Sequence, residues 1–347
     1  MNKKLRVGII GCGGIGKVHG SAYRIIDTGE IIAVCDNKEA RVAKLAGRYD
    51  AKPYLNYLDL LDEDLDMVHI CTPHYLHAEM AIAAMDRGIN VLTEKPMAIS
   101  LEEADMMIEA AATNSVTLGV IFQNRFNRSS QEVKKAVETG MLGKLKGVRM
   151  SVCWYRPMSY YTSSDWKGNW HEEGGGVLID QAIHTIDLMQ WLVGDIEWLQ
   201  GSMATRAHDL EVEDVSEAYI KFKNGVEGSM YATNLYTFDA DVEIELHGDK
   251  GFAKIVKDDA FIRVEGTEYH YSEVQIASEV AGKACYGLSH ITEIAEYHQA
   301  LLTGKPAPID GPSARKALEI VLAIYESART GQPVQFPLQI RKHPMWK

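Results

Sequence analysis

The glycine-rich segment GCGGIG, residues 11–16, constrains the fold of this chain more than any other stretch. It follows a buried-strand pattern, LRVGII, and precedes a helix-like run at residues 17–26. Glycines in G-x-G-x-x-G spacing between a strand and a helix allow a tight turn and a close approach of backbone to a pyrophosphate. The segment therefore predicts a dinucleotide site that includes Gly11, Gly13, Gly14, Ile15 and Gly16.

An acidic residue, Asp36, ends the second predicted strand, 25 residues after Gly11. A carboxylate here accepts hydrogen bonds from the adenosine ribose and repels a 2′-phosphate, which favours NAD over NADP. Asn37 and Arg41 follow closely and are included in the predicted cofactor site, although the nearby Lys38 and Arg41 could soften the preference for NAD. The alternative is that the glycines only make a turn and Asp36 caps the next helix. The strand before and the helix after favour dinucleotide binding.

Strand-like and helix-like segments alternate up to Gln123, which predicts βαβ units and a parallel sheet. Beyond this point strands follow one another, and Asn224-Gly225 is a hairpin signal. We therefore predict an α/β chain: an N-terminal Rossmann doubly wound parallel sheet over 1–123, then an α+β domain with a mainly antiparallel sheet over 124–347.

Charge and cysteine content exclude several classes of protein. A net charge of -12 argues against a protein that coats nucleic acid or an anionic membrane. The five cysteines are scattered without a CxxC pair, which is typical of reduced thiols in a cytoplasmic protein. The apolar run near the start is shorter than a signal-peptide core, and none approaches membrane-spanning length.

Polar residues fall at the ends of three predicted strands. Because carboxyl ends of parallel strands share one edge of the sheet, these residues should gather where a nicotinamide lies. A metal interpretation of the two histidines lacks a third local ligand, so we predict no metal and a cluster that lines the cofactor cleft. The residues are Thr72, Pro73, His74, His77, Glu94, Lys95, Gln123 and Arg125.

A helix-like segment, GGGVLIDQAIHTIDL, is the second candidate site. It places Asp180, His184 and Asp187 at i, i+4 and i+7, on one helix face. One interpretation is a catalytic face on which Asp180 orients and charges His184. The other is a solvated face with a helical Asp–His pair, and spacing alone does not separate them. Asp187 is assigned a structural role.

Lys95, in the segment EKP, is a candidate acid/base. Hydride transfer from a secondary alcohol requires a group that takes the hydroxyl proton, and a partly desolvated ammonium can exchange protons near neutral pH. Pro96 fixes the backbone beyond it, and a cis bond before this proline is a hypothesis that the residue type suggests. Glu94 either holds the lysine or contacts the cofactor. A surface lysine remains the alternative for Lys95.

Together these segments resemble the glucose–fructose oxidoreductase / inositol dehydrogenase / MocA family. The resemblance rests on GCGGIG, Asp36, CTPHYLH, EKP and GGGVLIDQAIHTIDL, and covers nearly the whole chain. It implies a large open antiparallel sheet in the second domain and oxidation or reduction of sugars, cyclic polyols or related carbonyl compounds. It also implies that Lys95 is the catalytic acid/base and that Asp180 and His184 contact the reacting hydroxyl or relay its proton.

Two positions depart from the family pattern. Many relatives carry Trp-Arg-Gly where this chain has Trp166-Lys167-Gly168, and lysine cannot reproduce a bidentate guanidinium contact. This weakens the carry-over of a cofactor contact to Lys167, while Trp166 stays in the predicted cofactor site. His74 stands where asparagine is common.

The predicted substrate pocket combines aromatic faces with hydrogen-bonding groups, which suits a sugar ring. No phosphate-binding cluster is evident, which favours an uncharged sugar, glycoside or cyclitol such as inositol. Two arginines keep a sugar phosphate, acid or nucleotide sugar open, and the two residues that end a strand could instead pack within the sheet. The pocket residues are Lys95, Arg125, Trp154, Tyr155, Arg156, Trp170, Asp180 and His184.

The leading hypothesis is an NAD-dependent dehydrogenase or reductase of a sugar or polyol. Alternatives within the family are a glycosidase that oxidises its sugar transiently and a non-catalytic sugar/NAD sensor; a sensor has no need of Lys95. Alternating apolar residues on one face of the second sheet, expected to be incompletely covered by helices, predict a homodimer or homotetramer.

Overall fold

The computed structural model describes residues 4–272 and 289–346. These divide into two compact units. The first holds residues 4–98, 102–123 and 289–314, and the second holds 99–101, 124–272 and 315–346. The structure thus differs from a second domain that runs unbroken over 124–347, because residues 289–314 return to the first unit.

The helices and strands follow the predicted order, with alternation in the first part of the chain and successive strands later. The strands are β1 (Leu5–Ile10), β2 (Gly29–Cys35), β3 (Lys52–Tyr54), β4 (Met67–Ile70), β5 (Asn90–Thr93), β6 (Leu118–Val120), β7 (Leu145–Cys153), β8 (Ile196–Ala204), β9 (Val215–Phe222), β10 (Glu227–Thr233), β11 (Glu243–Gly248), β12 (Gly251–Val256), β13 (Asp259–Val264), β14 (Thr267–Tyr271) and β15 (Val334–Gln335). The α-helices are α1 (Gly14–Ala22), α2 (Glu39–Tyr49), α3 (Tyr57–Leu61), α4 (His77–Met85), α5 (Leu101–Thr113), α6 (Arg128–Glu138), α7 (Met158–Thr162), α8 (Ile183–Val193), α9 (His290–Thr303) and α10 (Gly311–Thr330). Short 3-10 turns cover His74–Leu76 and Gln123–Phe126, and a π-helix covers Val177–Ala182.

The first unit is built on a parallel sheet with the order β3-β2-β1-β4-β5-β6 among the described residues. The central strand β1 is buried along almost its whole length, as a strand covered on both faces must be. This order is that of a doubly wound nucleotide-binding fold, whose ligand crevice lies beyond the carboxyl ends of the neighbouring strands β1 and β4, where the strand order reverses. The predicted Rossmann architecture is confirmed.

Helix α9 belongs to the core of the first unit. Ile294 and Tyr297 pack in the same buried cluster as Leu5 and Val7 of β1. The Tyr297 hydroxyl donates to the carbonyl of Val91 at 2.8 Å, at the start of β5. Burial of a large aromatic ring with its hydroxyl satisfied holds the returning segment on the sheet.

The second unit is built on a mixed sheet with the order β14-β13-β12-β11-β7-β10-β9-β8-β15 among the described residues. Only β7 and β10 pair in parallel among these strands; the other pairs are antiparallel. The hairpin predicted at Asn224-Gly225 joins β9 to β10, and Gly225 has a φ of +90°. The prediction of a mainly antiparallel second sheet is confirmed.

The oligomer prediction assumed that helices leave an apolar face of this sheet partly uncovered, and the structure differs from that assumption. The alternating apolar residues, among them Met150 and Leu246, are buried because α6 and α8 pack over that face. The exposed face carries ion pairs such as Arg149–Glu245 at 2.9 Å, so no uncovered apolar face is seen in the described part of the sheet. Across the same described ranges, no helix has the length and apolar character to span a bilayer.

Candidate active site

The glycine loop closes against the end of β4. Gly11 has a φ of +99°, and a Cβ there would lie 2.3 Å from the carbonyl oxygen of Cys71. A Cβ on Gly16 would lie 1.9 Å from the Gly11 carbonyl oxygen. Only glycine fits these two positions. Around Gly13 and Gly14 a Cβ would meet nothing within 4 Å, so the loop leaves open space at the N-terminus of α1, where a pyrophosphate fits.

Asp36 fastens this loop to the second strand. One carboxylate oxygen accepts the backbone N–H of Cys12 at 2.8 Å, and the other accepts that of Lys38 at 2.9 Å. Arg41 Nη1 lies 3.9 Å from the carboxylate. Asn37 and Arg41 are exposed beside it. A carboxylate has about four lone-pair sites, so Asp36 can hold the loop and still accept from ribose hydroxyls.

The end of β4 leaves one polar atom without a partner. Thr72 Oγ1 is buried and has no hydrogen-bond partner among the described residues. Thr72 and Pro73 are partly exposed, whereas His74 and Gln123 are buried. A hydroxyl that lacks a partner fits a ligand group at this strand end. The open space at Gly13 and Gly14, the Asp36 carboxylate and this hydroxyl are what a dinucleotide requires.

His77 is a correction to the predicted cofactor residues. Its ring is fully buried, with Nδ1 2.7 Å from the carbonyl oxygen of Pro96 and Nε2 2.9 Å from that of Thr72. Burial lowers the pKa of His77 despite these two carbonyls. The ring therefore ties the end of β4 to the segment after β5 and presents no face to a cofactor.

Lys95 is singled out by exposure. It is the one residue of 91–100 that is not buried, directly beyond β5. The Lys95–Pro96 bond is cis, as suggested from the residue type. The Glu94 carboxylate accepts the Lys95 backbone N–H at 3.2 Å. At this strand end, Lys95 is therefore the residue that is accessible to a ligand.

Glu94 lies among histidines that the sequence did not assign to the site. Its Oε1 lies 2.9 Å from His19 Nε2 and 3.4 Å from His290 Nε2. Burial alone would raise the pKa of Glu94, but hydrogen bonds from His19 and His290 hold it well below its usual range. In the structure the carboxylate of Glu94 is engaged by His19, by His290 and by the Lys95 backbone N–H, and its cofactor contact stays a prediction. Sequence spacing could not reveal the two histidine contacts, because the three residues are far apart in the chain.

The second unit carries Asp180 and His184 on one helix face. The predicted continuous α-helix is a π-helix over Val177–Ala182 and becomes α-helical at Ile183. Between residues 177 and 190 only Asp180 and His184 are not buried. π-Helical turns are often found at functional sites. The polar stripe is therefore narrower than predicted, since Asp187 is buried.

Asp180 is held by side chains that sequence reasoning missed or discounted. Its Oδ2 accepts from the Tyr160 hydroxyl at 2.6 Å and lies 2.5 Å from Lys167 Nζ. Lys167 Nζ also lies 4.9 Å from the ring centroid of Trp166. Burial would lower the pKa of Lys167, but the carboxylate of Asp180 raises it above its usual range, so the ammonium persists. In this structure Lys167 positions Asp180.

Arg125 forms a buried ion pair with Asp187. Its guanidinium is buried and donates through Nε and Nη2 to the Asp187 carboxylate at 2.7 and 2.6 Å. Burial raises the pKa of Asp187 against the opposing effect of Arg125. A bidentate pair of this kind commits both groups to each other. The Arg125 guanidinium is thus occupied by Asp187, and the assignment of Arg125 to the substrate pocket stays a prediction.

The other predicted pocket residues are spread over the second unit. Arg156 lies 3.1 Å from Asp239 and over the Trp154 ring, 4.8 Å from its centroid. Tyr155 is 45% exposed and forms an isolated bridge with Leu235, so it stays available at the surface. Trp170 packs edge-on against Tyr325 at 5.2 Å. Arg156 and Trp170 are thus engaged within the unit, which was the alternative left open for Arg156.

Glu213 stabilises the start of the π-helix through hydrogen bonds. Its carboxylate accepts the backbone N–H groups of Gly176 and Leu178 at 2.8 and 2.9 Å and the Tyr325 hydroxyl at 2.9 Å. A Cβ on Gly176 would lie 1.8 Å from the Glu213 carbonyl oxygen, so the close approach needs glycine. Burial raises the pKa of Glu213 to about 7, against the opposing hydrogen bonds.

This pKa predicts a pH-dependent stability. Between pH 4.5 and 7 unfolded Glu213 is ionised while the folded protein still holds its proton, so the stability from this residue falls as pH rises. In Glu213→Gln this loss is absent, and the melting temperature of the variant relative to wild type should rise between pH 5 and 7. Each pKa unit corresponds to about 1.4 kcal/mol. Thermal melts across this range check the prediction, with exposed Glu138→Gln as control; a pH-independent difference would contradict it.

The comparisons with known proteins match both units. Residues 5–122 match the oxidoreductase family with an NAD-binding Rossmann fold, and residues 130–254 match the GFO/IDH/MocA C-terminal domain. A myo-inositol 2-dehydrogenase of Thermotoga maritima is 26% identical over 95% of this chain and 98% of its own. A scyllo-inositol 2-dehydrogenase (NAD(+)) of Bacillus subtilis is 24% identical over 98% of each chain.

A solved structure is also similar over its full length. The WlbA dehydrogenase of Bordetella pertussis, in complex with NADH and UDP-GlcNAcA, has a TM-score of 0.88 and 30% identity. The match covers 98% of this chain and 99% of that one. The match therefore covers both units of the chain.

Proposed function

Because this chain belongs to the GFO/IDH/MocA family of NAD-dependent oxidoreductases, we propose that it transfers a hydride between nicotinamide and a secondary hydroxyl or keto carbon of a sugar, glycoside or cyclic polyol. The observation that carries the proposal is Lys95, a partly exposed lysine in an otherwise buried run at the end of β5. At this edge of a doubly wound sheet ligands bind beside the strand ends.

The residues of the first unit divide the work of binding and proton transfer. The glycine loop and Asp36 hold the dinucleotide, with Asp36 as acceptor for the adenosine ribose. NAD, when bound, supplies the hydride acceptor. Lys95 takes the proton of the substrate hydroxyl in oxidation and returns one in reduction, as a general base and acid.

Asp180 and His184 are assigned the assisting roles. They are the two accessible positions of their helix segment. Lys167 and Tyr160 hold the Asp180 carboxylate in place, so it can orient a hydroxyl or an imidazole. A carboxylate with fixed geometry reduces the cost of ordering at the moment of reaction.

The charge of the candidate pocket supports an uncharged substrate. Of the two arginines that left room for an acid or phosphate, Arg125 is paired with Asp187 and Arg156 lies beside Asp239. The WlbA dehydrogenase was crystallised with UDP-GlcNAcA, and at 30% identity it makes a nucleotide-sugar acid the second candidate. A sugar or polyol remains the first, because both candidate cations already have a carboxylate partner.

The experiment that tests the proposal is NADH absorbance with NAD and a panel of inositols, hexoses, glycosides, their keto forms and UDP-sugar acids. Turnover with one class that is lost in Lys95→Met supports the assignment and identifies the substrate. Turnover only with UDP-sugar acids selects the second candidate. Tight NAD binding with no net NADH across the panel would contradict a dehydrogenase and favour a redox-cycling glycosidase or a sensor.

We further propose that the chain works in the cytoplasm as a homodimer or homotetramer. The exposed face of the second sheet supports assembly through aromatic side chains, Tyr219 and Phe261, set among ion pairs. This mixture is typical of an interface rather than of an uncovered core. Light scattering that shows a monomer would contradict the assembly.

A further inference from the structure

A continuous row of hydrogen bonds runs through the first unit and ends at Glu94. Beginning at that carboxylate, its successive contacts are Glu94 Oε1 to His19 Nε2 at 2.9 Å, His19 Nδ1 to His69 Nδ1 at 2.8 Å, His69 Nε2 to the Tyr23 hydroxyl at 2.6 Å, the Tyr23 hydroxyl to His298 Nε2 at 2.9 Å, and His298 Nδ1 to Thr28 Oγ1 at 3.0 Å. We call these six residues the histidine chain. Each imidazole in it uses both ring nitrogens.

The histidine chain joins a buried end to a surface end. The side chains of His19, His69 and His298 are fully buried. Thr28, at the other end, is partly exposed just before β2. Glu94 is buried and accepts the backbone N–H of Lys95. The row therefore connects solvent to the residue that precedes the proposed acid/base.

The ionised Glu94 at one end of the row determines which nitrogen of each histidine ring carries the hydrogen atom. With Glu94 ionised, His19 must donate through Nε2, so its Nδ1 accepts from His69. His69 Nε2 then accepts from the Tyr23 hydroxyl, and the Tyr23 oxygen accepts from His298 Nε2. The remaining nitrogen, His298 Nδ1, accepts from Thr28. Every donor in the row thus points toward Glu94.

The charge states agree with this order. Burial lowers the pKa of His19, of His69 and, to about 4, of His298, so all three rings are neutral near pH 7. Burial also raises the pKa of Tyr23, which keeps the hydroxyl able to donate and accept. Neutral imidazoles between a hydroxyl and a carboxylate are the groups that pass protons from one ring nitrogen to the other.

We propose that the histidine chain delivers protons from solvent at Thr28 to Glu94, and thence to Lys95, when the enzyme reduces a carbonyl. The proposal rests on the proposed function, in which each reduction consumes one proton from Lys95. The roles proposed above for the cofactor and substrate residues do not involve His69, Tyr23, His298 or Thr28. Their alignment on Glu94 is what a delivery route needs.

The transfer balances as one proton taken up per turnover. The Thr28 hydroxyl gives its proton to His298 Nδ1 and regains one from water. His298 Nε2–H passes to Tyr23, the Tyr23 proton passes to His69 Nε2, and His69 Nδ1–H passes to His19 Nδ1. His19 Nε2–H passes to Glu94, and Glu94, whose Oε2 lies 3.2 Å from the Lys95 backbone nitrogen, gives a proton to the neutral Lys95 amine. Each ring then holds its proton on the other nitrogen, so the rings and hydroxyls must return to their first order before the next proton follows. No electrons move along the chain.

A metal ion is the competing use of part of this cluster. His19, Glu94 and His290 offer three buried ligand atoms within 4.8 Å of one another. The proton route is favoured because His19 Nε2 and Glu94 Oε1 are separated by 2.9 Å, a hydrogen-bond distance, and because a metal would leave the row from His69 to Thr28 without a function.

The test uses Tyr23→Phe, which removes the hydroxyl in the middle of the row and keeps the ring. Tyr49→Phe is the matched control, because the Tyr49 hydroxyl lies in the same unit and has no partner among the described residues. Stopped-flow reduction of the keto substrate by NADH is followed with a pH indicator. In Tyr23→Phe the first turnover should match wild type, since Lys95 already carries its proton. Later turnovers should slow by roughly 10-fold, show a larger solvent isotope effect, and recover in imidazole buffer.

Two results would overturn the proposal. Equal slowing of first and later turnovers would show a structural role for Tyr23, and an unchanged steady-state rate would show that protons reach Lys95 by another route. Thr28→Val, at the surface end, should reproduce the effect of Tyr23→Phe.

A second measurement does not depend on turnover. Spectra of ¹⁵N-labelled histidine should show neutral rings with the proton on Nε2 of His19, Nδ1 of His69 and Nε2 of His298. In Tyr23→Phe this order should be lost at His298 and kept at His69, which Glu94 still fixes through His19. Charged rings near pH 7, or one bound Zn²⁺ per chain that depends on His19, would overturn the proposal. Failure of the wild type on the whole substrate panel, with the ordered tautomers present, would count against the proposed function alone.

Discussion

Lys95→Met is expected to lower kcat by roughly 10²–10⁴-fold while NADH still binds with near wild-type affinity. Methionine is similar in length and cannot take up or release a proton. The backbone N–H that Lys95 donates to Glu94 is retained in the variant, so the strand end keeps its local hydrogen bond. The loss should therefore fall on kcat, as expected when a group acts in the transition state.

The control for this substitution is Lys44→Met, an exposed lysine of α2 in the same unit. It should leave kcat and KM unchanged. NADH fluorescence titration and steady-state rates on the identified substrate are the measurements. If Lys95→Met stays within a few-fold of wild type, the proton is exchanged by another group and Lys95 is a surface lysine, the alternative that sequence left open. Equal loss of NADH binding and kcat would show a disturbed strand end.

The first unit was predictable because its signals are local. A glycine loop between a strand and a helix, and an acid at the next strand end, specify the fold and the dinucleotide in one short window. Exposure of Lys95 among buried neighbours follows from the same rule, since strand ends of a parallel sheet share one edge. Architecture, family and cofactor were all recognisable at this level.

Other features depend on contacts between distant parts of the chain. Arg125 meets Asp187 across 62 positions, and Glu94 meets His19 across 75. Spacing along one helix could show that Asp187 shares a face with Asp180. It could not show that Asp187 forms an ion pair with the buried guanidinium of Arg125. The same holds for α9, whose apolar residues fit either unit by pattern alone. The π-helix depends on Glu213, which lies beyond the range of a helical repeat.

Lys167 shows how a departure from a family pattern can be informative. Lysine in place of arginine argued against a bidentate contact with the cofactor. In the structure the ammonium is a point charge beside Asp180, a use that suits lysine. The loss of the cofactor contact stays a prediction, while the contact of Lys167 with Asp180 could be seen only in the structure.

Asp36→Ser is expected to raise the KM for NAD by roughly 10–100-fold and to improve NADP relative to NAD. A hydrogen bond to a charged group contributes about 1.5–3 kcal/mol, which sets this range. The carboxylate also repels a 2′-phosphate, and its removal lifts that repulsion with Arg41 3.9 Å away. Steady-state kinetics with both cofactors, at fixed substrate, measure the two effects separately.

Asp36 also holds the backbone N–H of Cys12, so its loss can disturb the glycine loop itself. Asp36→Asn separates the two roles, because an amide oxygen can still accept from Cys12 while the negative charge is gone. If charge sets the preference, Asp36→Asn should admit NADP nearly as well as Asp36→Ser and keep more of the NAD affinity. If the loop contact dominates, Asp36→Ser should weaken NAD and NADP by the same factor and Asp36→Asn should resemble wild type. The ratio of kcat/KM for the two cofactors decides between these outcomes, since a collapsed loop lowers both values and leaves their ratio unchanged.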